Sequence, residues 1–187
     1  MKKIVGFSLF LLVFAGYYFS MSGSKVLPER KHPVDFNQME HRALHIARQI
    51  IKRAYYGSLV TIDKNGTPKV RLMEPFAPDS LFVIYLATNP NSRKAQEIKH
   101  NHTVSLHYVD EPRTGYVSLY GKAFIVNDDS LKQTMWKEGW QKFYPNRDKD
   151  YMLIKFVPDY LELISIRDQI TGDKKSWHPL KVDFLKQ

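Results

Sequence analysis

The residues of this sequence with the clearest chemical potential lie in segment 88–94. An apolar, β-branched run ends at Thr88, a proline sets a turn, and Asn91 or Ser92 can cap a helix. The first turn of that helix carries Arg93 and Lys94. Unpaired N–H groups at a helix start, two hydroxyls and two cations together favour a bound phosphate. The same residues also suit an ordinary capped surface helix with solvated basic side chains, so the segment alone leaves both interpretations open.

Arg71 strengthens the phosphate interpretation. It stands in a predicted strand between Val70 and Leu72, and a guanidinium among apolar neighbours needs an anion to pair with. Its planar fork can bind a phosphate through two parallel hydrogen bonds, whereas a lysine acts as a point charge. We therefore expect Arg71, Arg93 and Lys94 to face one phosphate group.

Common catalytic and nucleotide-binding signatures are missing from the sequence. It contains no glycine-rich dinucleotide fingerprint, no GxxxxGK phosphate loop and no HExxH pair. It also has no cysteine, which excludes disulfides, thiolate zinc sites and iron–sulfur clusters. Any redox chemistry must therefore come from a bound cofactor.

Five histidines have spacings that could suit metal or haem ligands. His41 and His45 are four residues apart on the predicted first helix, opposite its apolar stripe, where a solvated face is a simpler interpretation than a metal pair. His100, His102 and His107 straddle a predicted helix end and a strand, so their spacing does not bring them together. We do not expect a metal site.

Hydrophobic periodicity predicts the elements that position these residues. Spacings of three and four predict a helix over residues 36–54, capped by Asp35. Two β-type runs, 58–63 and 68–73, flank an Asn65-Gly66 turn and predict a hairpin. The continuous apolar run 81–87 predicts a central strand buried on both faces, and a short helix follows it to about residue 100.

The second half of the chain predicts more strands. Two are expected at 103–109 and 116–126, and Gly121 inside the second indicates a bend. A helix opening at Asp128 would turn five large side chains inward: Leu131, Met135, Trp136, Trp140 and Phe143. Strands at 151–157 and 160–166, joined by a tight turn at 158–159, complete six or seven strands and three helices. The short connections predict a mainly β (α+β), largely antiparallel fold that forms a small barrel.

The N-terminus is typical of a targeting segment. Lys2 and Lys3 precede an apolar run of 16 residues, 4–19, and small residues follow. The run is shorter than the ~20 residues of a typical membrane span, which favours a signal peptide cut before Gly23. Its terminal aromatic residues also fit a membrane anchor. We therefore expect a signal peptide or membrane anchor (1–22), a linker (23–35) and a globular domain (36–187) that is exported or membrane-attached.

The basic charge is weak evidence for a polyanionic partner. The formal net charge of +9 falls to +7 without Lys2 and Lys3. The other basic residues are scattered among acidic ones, and no aromatic-basic stacking platform accompanies them. We do not expect a nucleic-acid partner.

Several of these segments together resemble the pyridoxamine 5′-phosphate oxidase-like superfamily, and within it the small general-stress flavoproteins. The resemblance rests on segments 59–68, 70–73, 86–94, 104–106 and 121–123 and extends from about Arg42 to Ile166. It implies a six-stranded antiparallel split β-barrel with flanking helices, a homodimer, and FMN in a cleft at the subunit interface.

The resemblance also implies the residues of an FMN site. The side chains that would hold the FMN phosphate are Arg71, Thr88, Ser92, Arg93 and Lys94. The backbone that would border the ribityl chain and the ring belongs to Leu72, Met73 and Ala87. Tyr116 falls where the oxidases carry a flavin-contacting glutamine.

Departures from the oxidases limit what the resemblance implies about function. Glu74 and its neighbours stand where the oxidases place a flavin-contacting lysine, and the C-terminal Arg-x-His element that reads the pyridoxal substrate is absent. Vitamin B6 oxidation is therefore not expected. Trp177 could cover the flavin, but anchoring the C-terminal tail is the simpler role. The sequence predicts an FMN-dependent redox protein with an unknown small-molecule substrate; the alternative is a non-enzymatic flavin or haem carrier of the same fold.

Overall fold

A computed structural model of the chain describes residues 34–110 and 114–186. In chain order the elements are α1 (Gln38–Ala54), β1 (Gly57–Ile62), β2 (Pro68–Met73), β3 (Ile84–Thr88), α2 (Arg93–His100), β4 (Thr103–Asp110), β5 (Gly115–Ile125), α3 (Asp129–Thr134), a 3₁₀ turn (Trp140–Lys142), α4 (Arg147–Asp150), β6 (Met152–Ser165) and β7 (Leu180–Asp183). None of the helices in these ranges is both long and apolar enough to cross a bilayer. The predicted targeting segment and most of the linker lie outside the described residues.

The strands form one antiparallel sheet in the order β2-β1-β4-β5-β6-β3, with β7 added to β6. The mainly β (α+β) antiparallel fold is thus confirmed. In the described ranges β2 and β3, the two ends of this order, are not paired with each other. The sheet is therefore open along one side, as expected for a split barrel.

The main hydrophobic core lies between α1 and the sheet. Ala43, Ala47 and Ile50 are fully buried on the inner face of α1. The cap of this helix is Asn37 and not the predicted Asp35, because Asn37 and Glu40 form a reciprocal capping box with hydrogen bonds of 3.0 and 2.9 Å. An asparagine followed three residues later by a glutamate is the sequence pattern that marks the start of this helix.

The predicted central strand over residues 81–87 was wrong in its extent and its position. Asp79 accepts hydrogen bonds from the N–H groups of Leu81 and Val83, and Phe82 has a φ of +61°, so this part of the apolar run forms a loop. The strand β3 begins only at Ile84 and pairs with β6 alone. It is nevertheless buried along most of its length, as the composition predicted.

The predicted turn at residues 158–159 was also wrong, because β6 runs through it without a break. Tyr120 pairs with Tyr160 while Gly121 pairs with Pro158, so Asp159 is the extra residue of a β-bulge. Proline is tolerated there because the ladder is already disrupted at a bulge. The predicted bend at Gly121 is confirmed, and it falls opposite this bulge.

The helix predicted to open at Asp128 and to carry inward side chains as far as Phe143 is not one continuous helix. Gly139, with a φ of +82°, separates α3 from a 3₁₀ turn, and α4 follows as one short turn. Asp128 caps α3 through the N–H of Leu131 at 3.0 Å. The predicted inward side chains pack in a second aromatic cluster around the buried Trp140, except Phe143, which is 62% exposed.

Candidate phosphate-binding site

A cleft of about 390 Å³ lies where the ends of β2 and β3 approach each other. Its walls come from three parts of the chain. The end of β2 supplies Leu72, Met73 and Glu74, and the end of β3 with the start of α2 supplies Ala87, Thr88, Asn89, Ser92 and Lys94. The segment after α3 supplies Trp140, Phe143 and Tyr144. Six of the nine residues predicted from the sequence thus line one cleft.

Local hydrogen bonds hold the polar side chains of the cleft together. Thr88 ends β3, and its hydroxyl lies 2.9 Å from the Oγ of Ser92. Ser92 caps α2 by accepting a hydrogen bond from the N–H of Ala95 at 3.3 Å. Lys94 donates from its Nζ to the Thr88 hydroxyl at 3.1 Å. Two hydroxyls and an ammonium group therefore converge at the start of a helix, which is an arrangement suited to an anion.

Lys94 is the most informative side chain of this group. It is half-buried, and burial lowers its pKa below the ordinary value, helped by the positive charges of Arg71 and Arg93 against the opposing effect of Glu97. Among the described residues no carboxylate lies within 4 Å of its ammonium group. An anionic ligand gains the most binding free energy from a cation of this kind, which is partly desolvated and has no carboxylate partner.

Arg71 already meets an anion within the chain. Its Nη2 lies 2.6 Å from Oε2 of the buried Glu97, and its Nη1 donates to the hydroxyl of Thr61 and to the carbonyl of Lys69 at 2.8 Å. The buried carboxylate explains why a guanidinium can stand among apolar neighbours in β2. Neither Arg71 nor Glu97 is among the residues that line the cleft, although the charge of Arg71 acts on Lys94.

Arg93 shares the same carboxylate from the other side. Its Nε lies 3.1 Å from Oε1 of Glu97, but the angles do not make this a hydrogen bond, so the contact is an ion pair only. The Arg93 side chain is 66% exposed, and solvent therefore screens this pair. Arg93 can turn toward a ligand more readily than Arg71 can.

Glu97 is ionised at neutral pH and balances part of the positive charge. Burial alone would raise its pKa, but hydrogen bonds from Thr61 and Arg71 and the charges of both guanidinium groups outweigh that effect and lower it. Arg71, Arg93 and Lys94 carry three positive charges against this one negative charge, so an excess of two remains. This excess matches the charge of a phosphate monoester near pH 7.

Glu74, in the wall of the cleft, is the centre of a hydrogen-bonded group. The Oε1 of Glu74 accepts a hydrogen bond from Nζ of Lys137 at 2.9 Å and another from the hydroxyl of Tyr55 at 2.6 Å. Burial raises the pKa of Glu74, but these two bonds and the Lys137 charge lower it further than burial raises it. Glu74, the residue at which the sequence departs from the oxidases, thus pairs with Lys137 from a distant part of the chain.

Tyr116 lies outside the cleft of its own chain. It pairs with Val109 and Ile164 in the sheet, and its ring centroid is 5.5 Å from that of His107. Trp177, in the segment before β7, is 84% exposed and does not anchor the tail in the described part of the chain. No group of three His, Asp or Glu side chains in the described ranges could hold a metal ion.

Two kinds of site residue escaped the sequence analysis. Glu97 follows Arg93 by four residues on α2, a spacing that predicts an ion pair, but nothing in the sequence shows that Glu97 is buried against Arg71. Trp140 and Phe143 were expected on the inward face of one helix, and Tyr144 was not singled out; all three line the cleft, in the segment where Gly139 interrupts that predicted helix.

The fold and the cleft define a class of protein: an open antiparallel β-sheet with a cleft, lined by Lys94, beside the ends of β2 and β3. A family model described as pyridoxamine 5′-phosphate oxidase matches residues 45–165. The chain belongs to this family.

Individual relatives and structures agree with this assignment. The chain is 30% identical over 130 residues to the pyridoxine/pyridoxamine 5′-phosphate oxidase of Photorhabdus laumondii, an alignment that covers 68% of this chain and 53% of the relative. The chain thus spans about half the length of the curated relatives it matches.

Two solved structures show the same fold. One is a protein of Clostridium acetobutylicum related to general stress protein 26, with a TM-score of 0.63, 20% identity and coverage of 77% of this chain and 95% of that one. The other is a pyridoxamine 5′-phosphate oxidase-related, FMN-binding protein of Nostoc punctiforme, with a TM-score of 0.56, 14% identity and coverage of 80% and 96%. Together with the family model over residues 45–165, they confirm the predicted resemblance.

Proposed function

We propose that this protein binds FMN and uses it for electron or hydride transfer to a small-molecule substrate. The observation that carries the proposal is Lys94, a half-buried cation without a carboxylate partner in the described chain, held beside Thr88 and Ser92 at the start of α2. Its place in a cleft of a pyridoxamine 5′-phosphate oxidase family fold, together with the FMN-binding Nostoc neighbour, supports FMN as the phosphate-bearing ligand.

The residues of the cleft fit the parts of this cofactor. Lys94, the hydroxyls of Thr88 and Ser92 and the first N–H groups of α2 would hold the phosphate, with Arg93 at the solvent side. The apolar walls at Met73 and at the aromatic residues after α3 would exclude water from the rest. When bound, FMN supplies the redox chemistry itself, and the chain binds and orients it.

A homodimer would complete the site. Directly paired residues share one face of a sheet, and the outer face of β2, β1, β4 and β5 carries Val70, Leu72, Val109 and Tyr116. Three of these are large exposed apolar side chains, at 62%, 66% and 49%, and Leu72 also lines the cleft. The cleft therefore opens onto this face. We infer that a second copy covers the face and brings its own Tyr116 to the cleft.

The first test is reconstitution of the purified protein with FMN. We expect the chain to bind about one FMN per chain, to migrate as a dimer in light scattering, and to bind riboflavin much more weakly because riboflavin lacks the phosphate. Bleaching of the bound flavin's visible absorption by NADH or NADPH would support a reductase, whereas a carrier would keep it oxidised. Equal affinity for riboflavin and FMN, or purification with a haem Soret band, would contradict the proposal.

The affinity for FMN should depend on pH through Lys94. The ammonium form binds the phosphate, so affinity is full at neutral pH and falls as Lys94 loses its proton, in a range that begins below the ordinary lysine value of 10.5 because the pKa is lowered. Flavin fluorescence titrations across the alkaline range measure this. In a Lys94→Arg variant the loss should disappear, because arginine stays charged throughout. An identical pH profile in the two proteins would exclude Lys94 as the titrating group.

A further inference from the structure

A second cavity, of about 450 Å³, lies between the C-terminal half of α1 and the segment that follows β2. Its walls are largely apolar and include Ile51, Tyr55, Pro75, Phe76 and Pro78. It shares no lining residue with the phosphate-binding cleft, and the hydrogen-bonded group of Tyr55, Glu74 and Lys137 stands between the two. The volume and apolar character are those of a site for a small molecule.

Tyr108, on β4, forms part of the wall of this cavity. The residue is only 1% exposed, and its hydroxyl has no hydrogen-bond partner among the described residues. Nearly all buried polar groups in native proteins are paired, and an unpaired one is costly. Burial raises the pKa of this phenol strongly, so it remains a hydrogen-bond donor at every physiological pH. The hydroxyl is itself covered by protein atoms, so a ligand oxygen in the cavity satisfies it once the side chains over it move aside.

The charged residues that line the cavity are all basic. They are Arg48, Lys52 and Lys137, and no aspartate or glutamate lines it. Arg48 is fixed in place by the carbonyls of Pro78 and Asp79 at 2.9 and 2.7 Å, and Lys137 is neutralised by Glu74. Lys52 is exposed and has no carboxylate within 4 Å in the described chain. The rim thus keeps a positive charge that is free to meet an anion.

From these observations we propose that the cavity binds a small aromatic carboxylate that carries an acceptor oxygen at its far end. The carboxylate lies at the rim near Arg48 and Lys52, because the lining offers positive charge there and no acid. The aromatic body packs against Ile51, Phe76 and the proline faces. The acceptor oxygen reaches the hydroxyl of Tyr108. This site is separate from the FMN site and does not depend on it.

Isothermal titration calorimetry with two probes tests the proposal on the full-length chain. The first probe, 6-methoxy-2-naphthoate, has a carboxylate and a distal ether oxygen; the second, 2-naphthoate, lacks the ether oxygen. We expect the wild-type protein to prefer the first by roughly fivefold to tenfold, the effect of one hydrogen bond to a buried donor. In Tyr108→Phe the preference should vanish, while the urea midpoint of the ligand-free protein does not fall.

A charge variant and a competition experiment complete the test. Lys52→Gln should weaken both probes by about threefold or more, whereas Lys64→Gln, at the exposed β1–β2 turn, should weaken neither. Saturating FMN should leave the affinity of both probes unchanged, because the two sites share no residue. The proposal is overturned if neither probe binds, if Tyr108→Phe keeps the preference, or if FMN displaces the probes.

Discussion

Replacing Lys94 by alanine should weaken FMN binding by about 30-fold, equivalent to ~2 kcal/mol, the typical effect of a charge-assisted hydrogen bond. Lys94 is half-buried, donates to Thr88 and has no carboxylate partner in the described chain, so its positive charge is available to a phosphate. Fluorescence titration of FMN measures the loss. Riboflavin affinity should change little in the same variant, because the proposed contact of Lys94 is to the phosphate alone.

The matched control is Lys99→Ala. Lys99 lies on the same helix α2, is exposed, and is remote from the helix start, so its removal changes the net charge equally but not the cleft. FMN affinity should stay within about twofold of the wild-type value, since exposed charges are screened. If Lys99→Ala and Lys94→Ala weakened FMN equally, the effect would be one of net charge, and the assigned site would be wrong.

Arg71 is a poorer test of the same site, for a reason that only the structure shows. Its guanidinium pairs with the buried Glu97, and an alanine would leave that carboxylate without its closest cation. The variant would lose stability as well as any flavin contact, and the two losses could not be separated. Lys94→Ala largely avoids this problem, because in the described chain the buried Glu97 forms its ion pairs with Arg71 and Arg93 and not with Lys94.

The sequence predicted the structure correctly wherever the conformation of a short segment depends only on its own residues. The Asn65-Gly66 turn defines the β1–β2 hairpin, and Ser92 caps α2, because each depends on hydrogen bonds and φ angles of neighbouring residues. The convergence of Thr88, Ser92 and Lys94 follows from the same local geometry. These three residues are therefore the part of the candidate site that could be predicted from the sequence.

Interactions between distant segments could not be predicted from local sequence patterns. The apolar run before Ile84 suits a central strand, but Asp79 ties part of it into a loop, and β3 finds a partner only in β6. The pairing of Arg71 with Glu97 spans 26 residues, and Lys137 meets Glu74 across 63. Tyr116 lies away from the cleft of its own chain, and a single sequence cannot tell whether a second copy delivers it.

Gly121→Ala should destabilise the fold by about 3 kcal/mol or more, the upper range for overpacking a buried site. A Cβ at this position would stand 2.2 Å from the carbonyl oxygen of Val157 and 2.6 Å from Cα of Pro158. Both contacts are to backbone of the paired strand β6, which cannot move aside like a flexible side chain. Urea unfolding followed by circular dichroism measures the change in the free energy of unfolding.

The matched control is Gly66→Ala, which makes the same chemical change at the tip of the β1–β2 turn. A Cβ there meets nothing within 4 Å, and the only penalty is the positive φ of +80°, which costs about 1 kcal/mol. The larger loss of unfolding free energy expected for Gly121→Ala would therefore measure how closely the β6 backbone approaches Gly121 at the bulge. Because the bulge lets β6 bend and pair with both β5 and β3, the same variant should also lose FMN binding as β3 shifts. Equal unfolding free energies for the two variants would mean that β5 and β6 do not approach each other at Gly121 in solution.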